Sequence, residues 1–380
     1  MKIGIIGNYG HDNNGDEAIL QGIINQLVDE LSVDSSDIVI FSNNPDNTMR
    51  RYGLKSVNLL HKRGNLLKSM MTTIWNNRKV IQQLDLLIIG GGGLLMDMYK
   101  RDAPLYTAHA LLGKLAGCKV VIYGVGAGPL NTKLGKFLIK LMLKSSYSIS
   151  VRDDRSKELL HSIGVSKPIQ VISDPAMQLG KKVNKTASEH IRTIGITAVP
   201  YYSSQYWPSG NEEKYRNYIM GMARNIDHLI EKLQVKVTFF STKFPQDVKV
   251  TEDIYEQMER KENVEILKGN LPPDVLVSFC KQQDIIIGTR LHSLILSVAA
   301  KTPIIGIGYH QKVYNFLKRI KKEQYYVDID NMNQQIDLVY GLVNNLLNNW
   351  IGVQKEFAEI YLDQKSGLDE GKMQIQKALE

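Results

Sequence analysis

The sequence predicts an α/β protein made of two successive doubly wound domains, each a parallel sheet flanked by helices, with a cleft between them. Three observations carry this. Short apolar runs alternate with helix-period patterns along nearly the whole chain. The alternation breaks once, at the polar, aperiodic stretch Lys181–Ile191. The length, 380 residues, is about two domains at ~100–200 residues each. The expected boundaries are a first domain over 1–180, a second over 193–345 and a C-terminal helical tail over 346–380.

In the first domain, strands are expected at Lys2–Gly7, Ile38–Ser42, Leu86–Gly90, Lys119–Gly124, Ser146–Val151 and Ile169–Ile172. Helices fill the gaps at about Asp16–Leu31, Leu105–Ala116, Thr132–Lys144 and Arg155–Ile163. The second series has strand signals at Thr193–Thr197, Lys236–Ser241, Val264–Leu267, Ile285–Gly288 and Pro303–Gly308. Its helical patterns run over Glu212–Leu233, Thr251–Arg260, Pro273–Lys281, His292–Ala300 and Met332–Asn348, and Trp350–Leu379 reads as a helix of balanced charge.

Composition narrows the function. With 43% hydrophobic and 23% charged residues, the chain is neither disordered nor fibrous. No apolar run approaches the ~18 residues of a membrane span. The N-terminal Met1–Gly7 segment meets a turn too soon for a secretory core. Cys118 and Cys280 lie in apolar segments and form neither a disulfide framework nor a metal site, so a cytoplasmic location is expected. The net charge is +8, and it is uneven: Asn47 to Leu84 holds eight Lys/Arg and no acid, and Ala103 to Arg152 seven more and no acid. Such a field attracts phosphorylated ligands, nucleic acid or an anionic membrane.

In open parallel sheets, ligands bind beyond the carboxyl ends of the strands, so the strand ends are where chemistry is sought. The first strand runs into Gly7-Asn8-Tyr9-Gly10 and then Asn14-Gly15-Asp16, which matches neither a dinucleotide fingerprint nor a P-loop. Asp16 reads as a helix N-cap or a catalytic carboxylate. The third strand ends in Gly90-Gly91-Gly92-Gly93, followed by Asp97. Four glycines are costly in backbone entropy and suggest a ligand packed on the main chain. Gly126 lies in a similar turn after the fourth strand. Arg152 directly follows an apolar strand and can grip phosphate or carboxylate through two parallel hydrogen bonds; the bland alternative is an ion pair with Asp153 or Asp154. In the second domain, Arg290 and His292 stand where a buried strand gives way to an apolar helix. That junction suits an anion, and a histidine there suits proton transfer. After the next strand come His310 and Lys312, the latter a phosphate contact or a solvated surface lysine.

Taken in order, these segments resemble the polysaccharide pyruvyl transferase family. The matching pieces are Asn14-Gly15-Asp16-Glu17-Ala18, the Gly90–Gly93 turn with Asp97, Val151-Arg152-Asp153, Ser173-Asp174-Pro175 and Thr289-Arg290-Leu291-His292-Ser293, spanning about residues 1–320. The resemblance implies two Rossmann-like domains in a GT-B-like fold, and transfer of pyruvate from phosphoenolpyruvate to a sugar as a cyclic ketal. It implies that Arg290, Leu291, His292 and Arg152 hold the donor, with His292 the acid, and that Lys312 joins them. Family members often carry Asp-Pro before that lysine; here it is His310-Gln311, which makes His310 an additional donor contact to consider. Asp16 or Asp97 would be the base near the acceptor, with Asn14, Gly15, Gly91, Gly92, Gly93 and Gly126 forming the acceptor-side turns. No metal and no cofactor are expected; phosphoenolpyruvate is a substrate.

The expected partners are phosphoenolpyruvate and a saccharide acceptor of a cell-surface or exopolysaccharide precursor, with no nucleic acid; oligomeric state is left open. Lys133, Lys136, Lys140 and Lys144 recur beside Leu134, Phe137, Leu138, Leu141 and Met142, and Asn65–Val80 mixes Lys68, Arg78 and Lys79 with Leu66, Leu67, Met70, Met71, Ile74 and Trp75. Both read as membrane-interface helices or as ordinary core-facing helices with a solvated lysine side. The first reading gives peripheral binding to the inner leaflet, where a lipid-linked saccharide would be presented. Two competing functions remain: a nucleotide-sugar glycosyltransferase, for which Glu323 and Asp328 would be the ribose carboxylates, and a non-catalytic anion-binding protein.

Overall fold

A computed structural model describes residues 1–207 and 209–380. The chain forms two compact units, Met1–Gln178 with Gln364–Glu380, and Leu179–Asp363.

The first unit holds strands β1 (Ile3–Ile6), β2 (Ile38–Ser42), β3 (Lys55–Asn58), β4 (Leu86–Gly90), β5 (Lys119–Val125), β6 (Ser148–Val151) and β7 (Gln170–Val171). Its helices are α1 (Asn14–Asn25), α2 (Pro45–Tyr52), α3 (Leu66–Ile81), α4 (Asp102–Leu115), α5 (Lys133–Ser145) and α6 (Asp154–Ser162). The sheet is parallel, in the order β3-β2-β1-β4-β5-β6-β7. β1, β2 and β4 are buried along their whole length. Being covered on both faces, they read as unbroken apolar runs, which is why the sequence reveals them. β3 is an edge strand, Lys-Ser-Val-Asn, and has no such run to reveal it.

The second unit holds β8 (Thr193–Thr197), β9 (Lys236–Phe239), β10 (Val264–Ile266), β11 (Ile285–Gly288), β12 (Ile304–Gly308) and β13 (Tyr326–Asp328). Its helices are α7 (Glu212–Leu233), α8 (Gln246–Gln257), α9 (Pro273–Gln282), α10 (Leu291–Ala299), α11 (Gln311–Arg319) and α12 (Leu338–Leu347). The order is β10-β9-β8-β11-β12-β13, again all parallel. In both sheets the strand order reverses at the middle pair, β1/β4 and β8/β11, and a crevice opens beyond the carboxyl ends at such a reversal.

The C-terminal helix α13 (Trp350–Leu379) is not a separate tail. Its first part belongs to the second unit, where Val353, Phe357 and Tyr361 are buried. From Gln364 it belongs to the first unit and buries Leu368, Ile375 and Ala378. Gln374 Nε2 donates to Ser148 Oγ (2.9 Å), and Gln26 Nε2 donates to the Leu368 carbonyl (3.0 Å). Gly371 lies against Tyr123, where a Cβ would come within 2.6 Å of the phenol oxygen. The balanced charge of this segment hid the apolar stripe that docks it.

Candidate active site

In the first unit, β1 delivers a polar turn to the switch point. Asn13, not Asp16, caps α1: its side chain accepts from Gly15 N (3.2 Å), and Asn14 and Gly15 form the buried first turn. Asp16 accepts from Asn8 Nδ2 (3.0 Å) and Asn13 Nδ2 (2.8 Å). Its Oδ1 lies 2.9 Å from where a Cβ on Gly92 would sit, so the carboxylate faces the glycine turn. Next to it, fully buried Glu17 accepts from Gly10 N (2.8 Å) and from the Tyr52 hydroxyl (2.7 Å). Burial pushes the Glu17 carboxyl up, although both hydrogen bonds oppose it.

The glycine run answers to packing inside the chain. Gly91 and Gly92 have φ of +71° and +66°, the left-handed region that side chains avoid. A Cβ on Gly91 would fall 1.8 Å from Ile19 of α1, and one on Gly90 would fall 2.8 Å from Ile23. Thus α1 rests directly on the turn, and only around Gly92 and Gly93 does the backbone meet polar groups or solvent.

The structure gives Asp97 a different task from that of a base. It lies on a loop, and its carboxylate accepts from Asn131 N (2.9 Å), Thr132 N (2.6 Å) and Thr132 Oγ1 (2.7 Å), at the N-terminus of α5. Gly135 leaves the room it occupies. Burial raises its pKa, but the Asn131 and Thr132 bonds outweigh that and hold it below the usual range. Such a carboxylate is a poor proton acceptor.

Arg152 emerges from β6 and lies over Gly126, where a Cβ would stand 3.2 Å from Nε. Its acidic partner is neither adjacent aspartate in the first instance. Nη1 donates to Asp174 Oδ2 at 2.9 Å, while Asp153, which caps α6, is 3.9 Å from Nε. Asp174, of the Ser-Asp-Pro segment, also accepts from Ala176 N (3.0 Å).

In the second unit, the β11–α10 junction is pinned to β8. Thr289 N donates to Thr197 Oγ1 (3.1 Å), Thr289 Oγ1 to the Thr197 carbonyl (3.1 Å), and Ser293 Oγ to the Arg290 carbonyl (2.6 Å). Arg290, at the N-cap of α10, is gripped by Asp247 of α8: Nη2 donates to Oδ1 at 2.6 Å and Nε to the same oxygen at 3.1 Å. Asp247 is wholly buried and also accepts from Lys243 N (3.0 Å). Burial works against the guanidinium's charge, but Asp247 more than offsets it, and the pKa of Arg290 is raised. His292 and Leu291 are half-buried in the first turn of α10. His310 caps α11 in position but not through its side chain, and Lys312 is exposed in that helix's first turn. Burial and then Lys312 lower the His310 pKa, so the ring is neutral near pH 7.

The sequence did not reveal the aromatic cluster beside this junction. Tyr201, Tyr202 and Trp207 after β8, Tyr218 on α7 and Tyr309 after β12 pack against one another, with Tyr201–Tyr218 at 5.8 Å and Trp207–Tyr309 at 5.3 Å between centroids, both edge to face. The Tyr201 hydroxyl donates to Asp330 (2.8 Å). A cavity of about 250 Å³ opens there, walled by Tyr201, Tyr218, Lys214, Asn217 and Asp330. Glu323 and Asp328 are exposed, and Asp328 is occupied in accepting from Asp330 N (3.0 Å).

A family model for polysaccharide pyruvyl transferase matches residues 13–311, which include both strand-end clusters. The chain belongs to the polysaccharide pyruvyl transferase family. Amylovoran biosynthesis protein AmsJ of Erwinia amylovora is 23% identical to it, with 94% of this chain and 95% of that protein aligned. Among solved structures, the UDP-GlcNAc 2-epimerase of Methanocaldococcus jannaschii is 13% identical, with 92% of this chain and 93% of that chain covered and a TM-score of 0.62. Anabaena HepE, solved with UDP and glucose, is 10% identical, with 100% and 99% covered and a TM-score of 0.62. Spinosyn forosaminyltransferase SpnP is 10% identical over 100% of both chains, with a TM-score of 0.59. These likenesses are to GT-B-type proteins and show the fold class. The matched span includes Asp16, Arg152, Arg290, Leu291 and His292, each near a strand–helix junction, while Lys312 falls just beyond it. The residue that orients Arg290, Asp247, was missed; a lone aspartate in a helix's first turn, between Lys243 and Lys249, looks like a surface cap. Among the described residues, no group of three or more His, Cys, Asp or Glu could hold a metal ion, and no helix is long and apolar enough to cross a membrane.

Proposed function

We propose that this protein transfers pyruvate from phosphoenolpyruvate to two hydroxyls of a saccharide in an exopolysaccharide or cell-surface precursor, lipid-linked in its presentation, forming a cyclic ketal and releasing phosphate. The observation that carries the reading is the guanidinium of Arg290, fixed by a wholly buried Asp247 at the mouth of α10, two residues before His292. Phosphoenolpyruvate offers a phosphate and a carboxylate, which suit arginine and a helix N-terminus. Lys312 and His310 extend that site, and the family resemblance adds Arg152.

The chemistry follows from these groups. His292, as imidazolium, gives its proton to C3 of the enol, and positive charge develops at C2. The donor's own phosphate and carboxylate stabilise that centre. A first sugar hydroxyl attacks C2 and loses its proton to a base. Phosphate leaves with its electron pair, and the second hydroxyl adds at C2, losing its proton in turn. Asp16 is the carboxylate favoured as base, because Asp97 is saturated by three donors. No further group is required by this balance.

A second reading, a nucleotide-sugar glycosyltransferase, draws on the aromatic cavity with Asp330 and on the fold it shares with HepE, which was solved with UDP and glucose. Thermal denaturation with either ligand separates the two. Phosphoenolpyruvate at 100 times Kd should stabilise the protein by about 2.7 kcal/mol, and UDP should not. Stabilisation by UDP alone would sink the pyruvyl reading. His292→Asn should retain phosphoenolpyruvate binding and lose about 10²–10⁴-fold in phosphate release.

A further inference from the structure

Helix α3 is packed inside out. The residues it buries are Ser69, Thr73 and Asn77, along with Ile81. Its apolar stripe faces away from the core: Leu67 is 70% exposed, Met71 64% and Trp75 67%, with Leu66 and Ile74 beside them. An ordinary amphipathic helix would be turned the other way.

Rotation cannot relieve this, because the polar face is bolted down. Ser69 Oγ accepts from Arg63 N (2.8 Å), and Thr73 Oγ1 accepts from His61 N (2.9 Å). Asn77 Nδ2 donates to the Asn58 carbonyl (3.0 Å) and to His109 Nε2 (2.9 Å). Burial pushes the His109 pKa down to about 4, so the ring is neutral. Its Nδ1 donates to the Leu105 carbonyl (2.8 Å), which leaves Nε2 as an acceptor for Asn77. Buried polar groups of this kind are expensive to unpair, so the exposed stripe is a fixed feature.

Along this stretch of chain the charge has one sign. Lys68, Arg78 and Lys79 on α3 are exposed, and no acid occurs from Asn47 to Leu84. Helix α5 packs against α4, as α3 does, and repeats the theme. It buries Ile139, Met142 and Leu143 as a core-facing helix should, yet it exposes Leu134 and Phe137 beside Lys133, Lys136 and Lys140. The Asp97 cap ties the exposed Met98–Tyr99 loop to the same end of α5.

We propose that this α3–α5 face docks on an anionic lipid bilayer, with Leu67, Met71 and Trp75 entering the headgroup–acyl boundary and the flanking lysines and arginines meeting lipid phosphates. The lysines and arginine flanking the stripe fit anionic headgroups. Exposed leucine, methionine and tryptophan fit acyl chains and the interface, and they suit a nucleic acid poorly. Clustered exposed apolar side chains such as Leu67, Met71 and Trp75 on one helix mark an interaction site. The inference is independent of the pyruvyl reading, since it concerns a different surface and is measured without substrate.

The test is flotation of the full chain with vesicles of phosphatidylcholine alone or with 30% phosphatidylglycerol (about one anionic lipid in three), at physiological salt. Wild type should float with the anionic vesicles, and brominated lipid should quench Trp75. Leu67→Ser/Met71→Ser/Trp75→Ser should weaken binding about 100-fold or more, given the transfer free energy of three apolar side chains. Lys68→Glu/Arg78→Glu/Lys79→Glu should weaken it with unchanged circular dichroism. Activity on a soluble acceptor should survive in both. Absence of wild-type binding to anionic vesicles overturns the proposal. So does concentration-dependent self-association that the serine variant abolishes while vesicle binding persists unchanged, since a second copy would then be the occupant.

Discussion

Arg152 and Arg290 both stand at the carboxyl end of a parallel strand, one near the edge of its sheet and the other at the reversal of strand order, and they are held in different ways. Arg152 follows β6 directly, Arg290 follows β11 after Thr289, and each meets a buried aspartate. Arg290 is clamped through Nε and Nη2 by a carboxylate with no solvent exposure, which itself is fixed by a backbone amide. Arg152 gives one nitrogen to Asp174, lies on a glycine and has Asp153 at 3.9 Å as a second carboxylate. The clamp fixes the plane of Arg290 and commits two of its donors. The single contact leaves Arg152 more donors and more freedom to tilt. Geometry therefore makes Arg290 the pre-set element and Arg152 the adjustable one.

The largest effect that would test this contrast is on activity. Arg290→Lys keeps the charge and loses the fork, so phosphate release from phosphoenolpyruvate should fall about 10²–10⁴-fold, as two charged hydrogen bonds are lost. Arg152→Lys should cost about 10-fold, one bond's worth. Equal single losses would break the comparison.

Stability gives the next effect. Asp247→Ala strands a buried guanidinium and should cost about 3–5 kcal/mol in chemical denaturation. Asp174→Ala should cost about 1–3 kcal/mol, because Asp153 is at hand to take over part of the pairing. If the order of the two costs reversed, the clamp would not be the stronger constraint.

What the sequence revealed, and what it hid, follows from the same physics. β1, β4, β8 and β11 are covered on both faces, so they read as apolar runs, and the residues that end them were found. Asp247 acts on Arg290 across 43 positions of chain, and no local pattern marks such a pairing. The aromatic cluster draws on residues from Tyr201 to Tyr309, each unremarkable in its own segment. For α3 the periodicity showed an apolar and a polar face but not which one points inward; only the hydrogen-bond partners around residues 58–63 and His109 decide that. The C-terminal helix was misassigned as a tail because Leu368, Ile375 and Ala378 are thinly spaced among charges.

The smallest effect sharpens the contrast through its carboxylates. Asp247 is buried against a cation, whereas Glu17 is buried against the Gly10 amide and the Tyr52 hydroxyl, both neutral donors. Burial raises the Glu17 pKa above the ordinary carboxyl value of 4.5 in the folded state. A raised folded-state pKa contributes stability that is complete below the unfolded value and is lost as pH rises through the folded one. Wild type should therefore lose stability relative to Glu17→Gln from about pH 4.5 upward, with the difference levelling off once the carboxyl is ionised in both states. The glutamine keeps an oxygen for Gly10 N and can donate to the tyrosine, which retains the Glu17 carbonyl as an acceptor at 3.1 Å. Melting temperatures of the two proteins between pH 4 and pH 8 read this directly, and a difference that stays flat with pH would mean the carboxyl is solvated or paired after all.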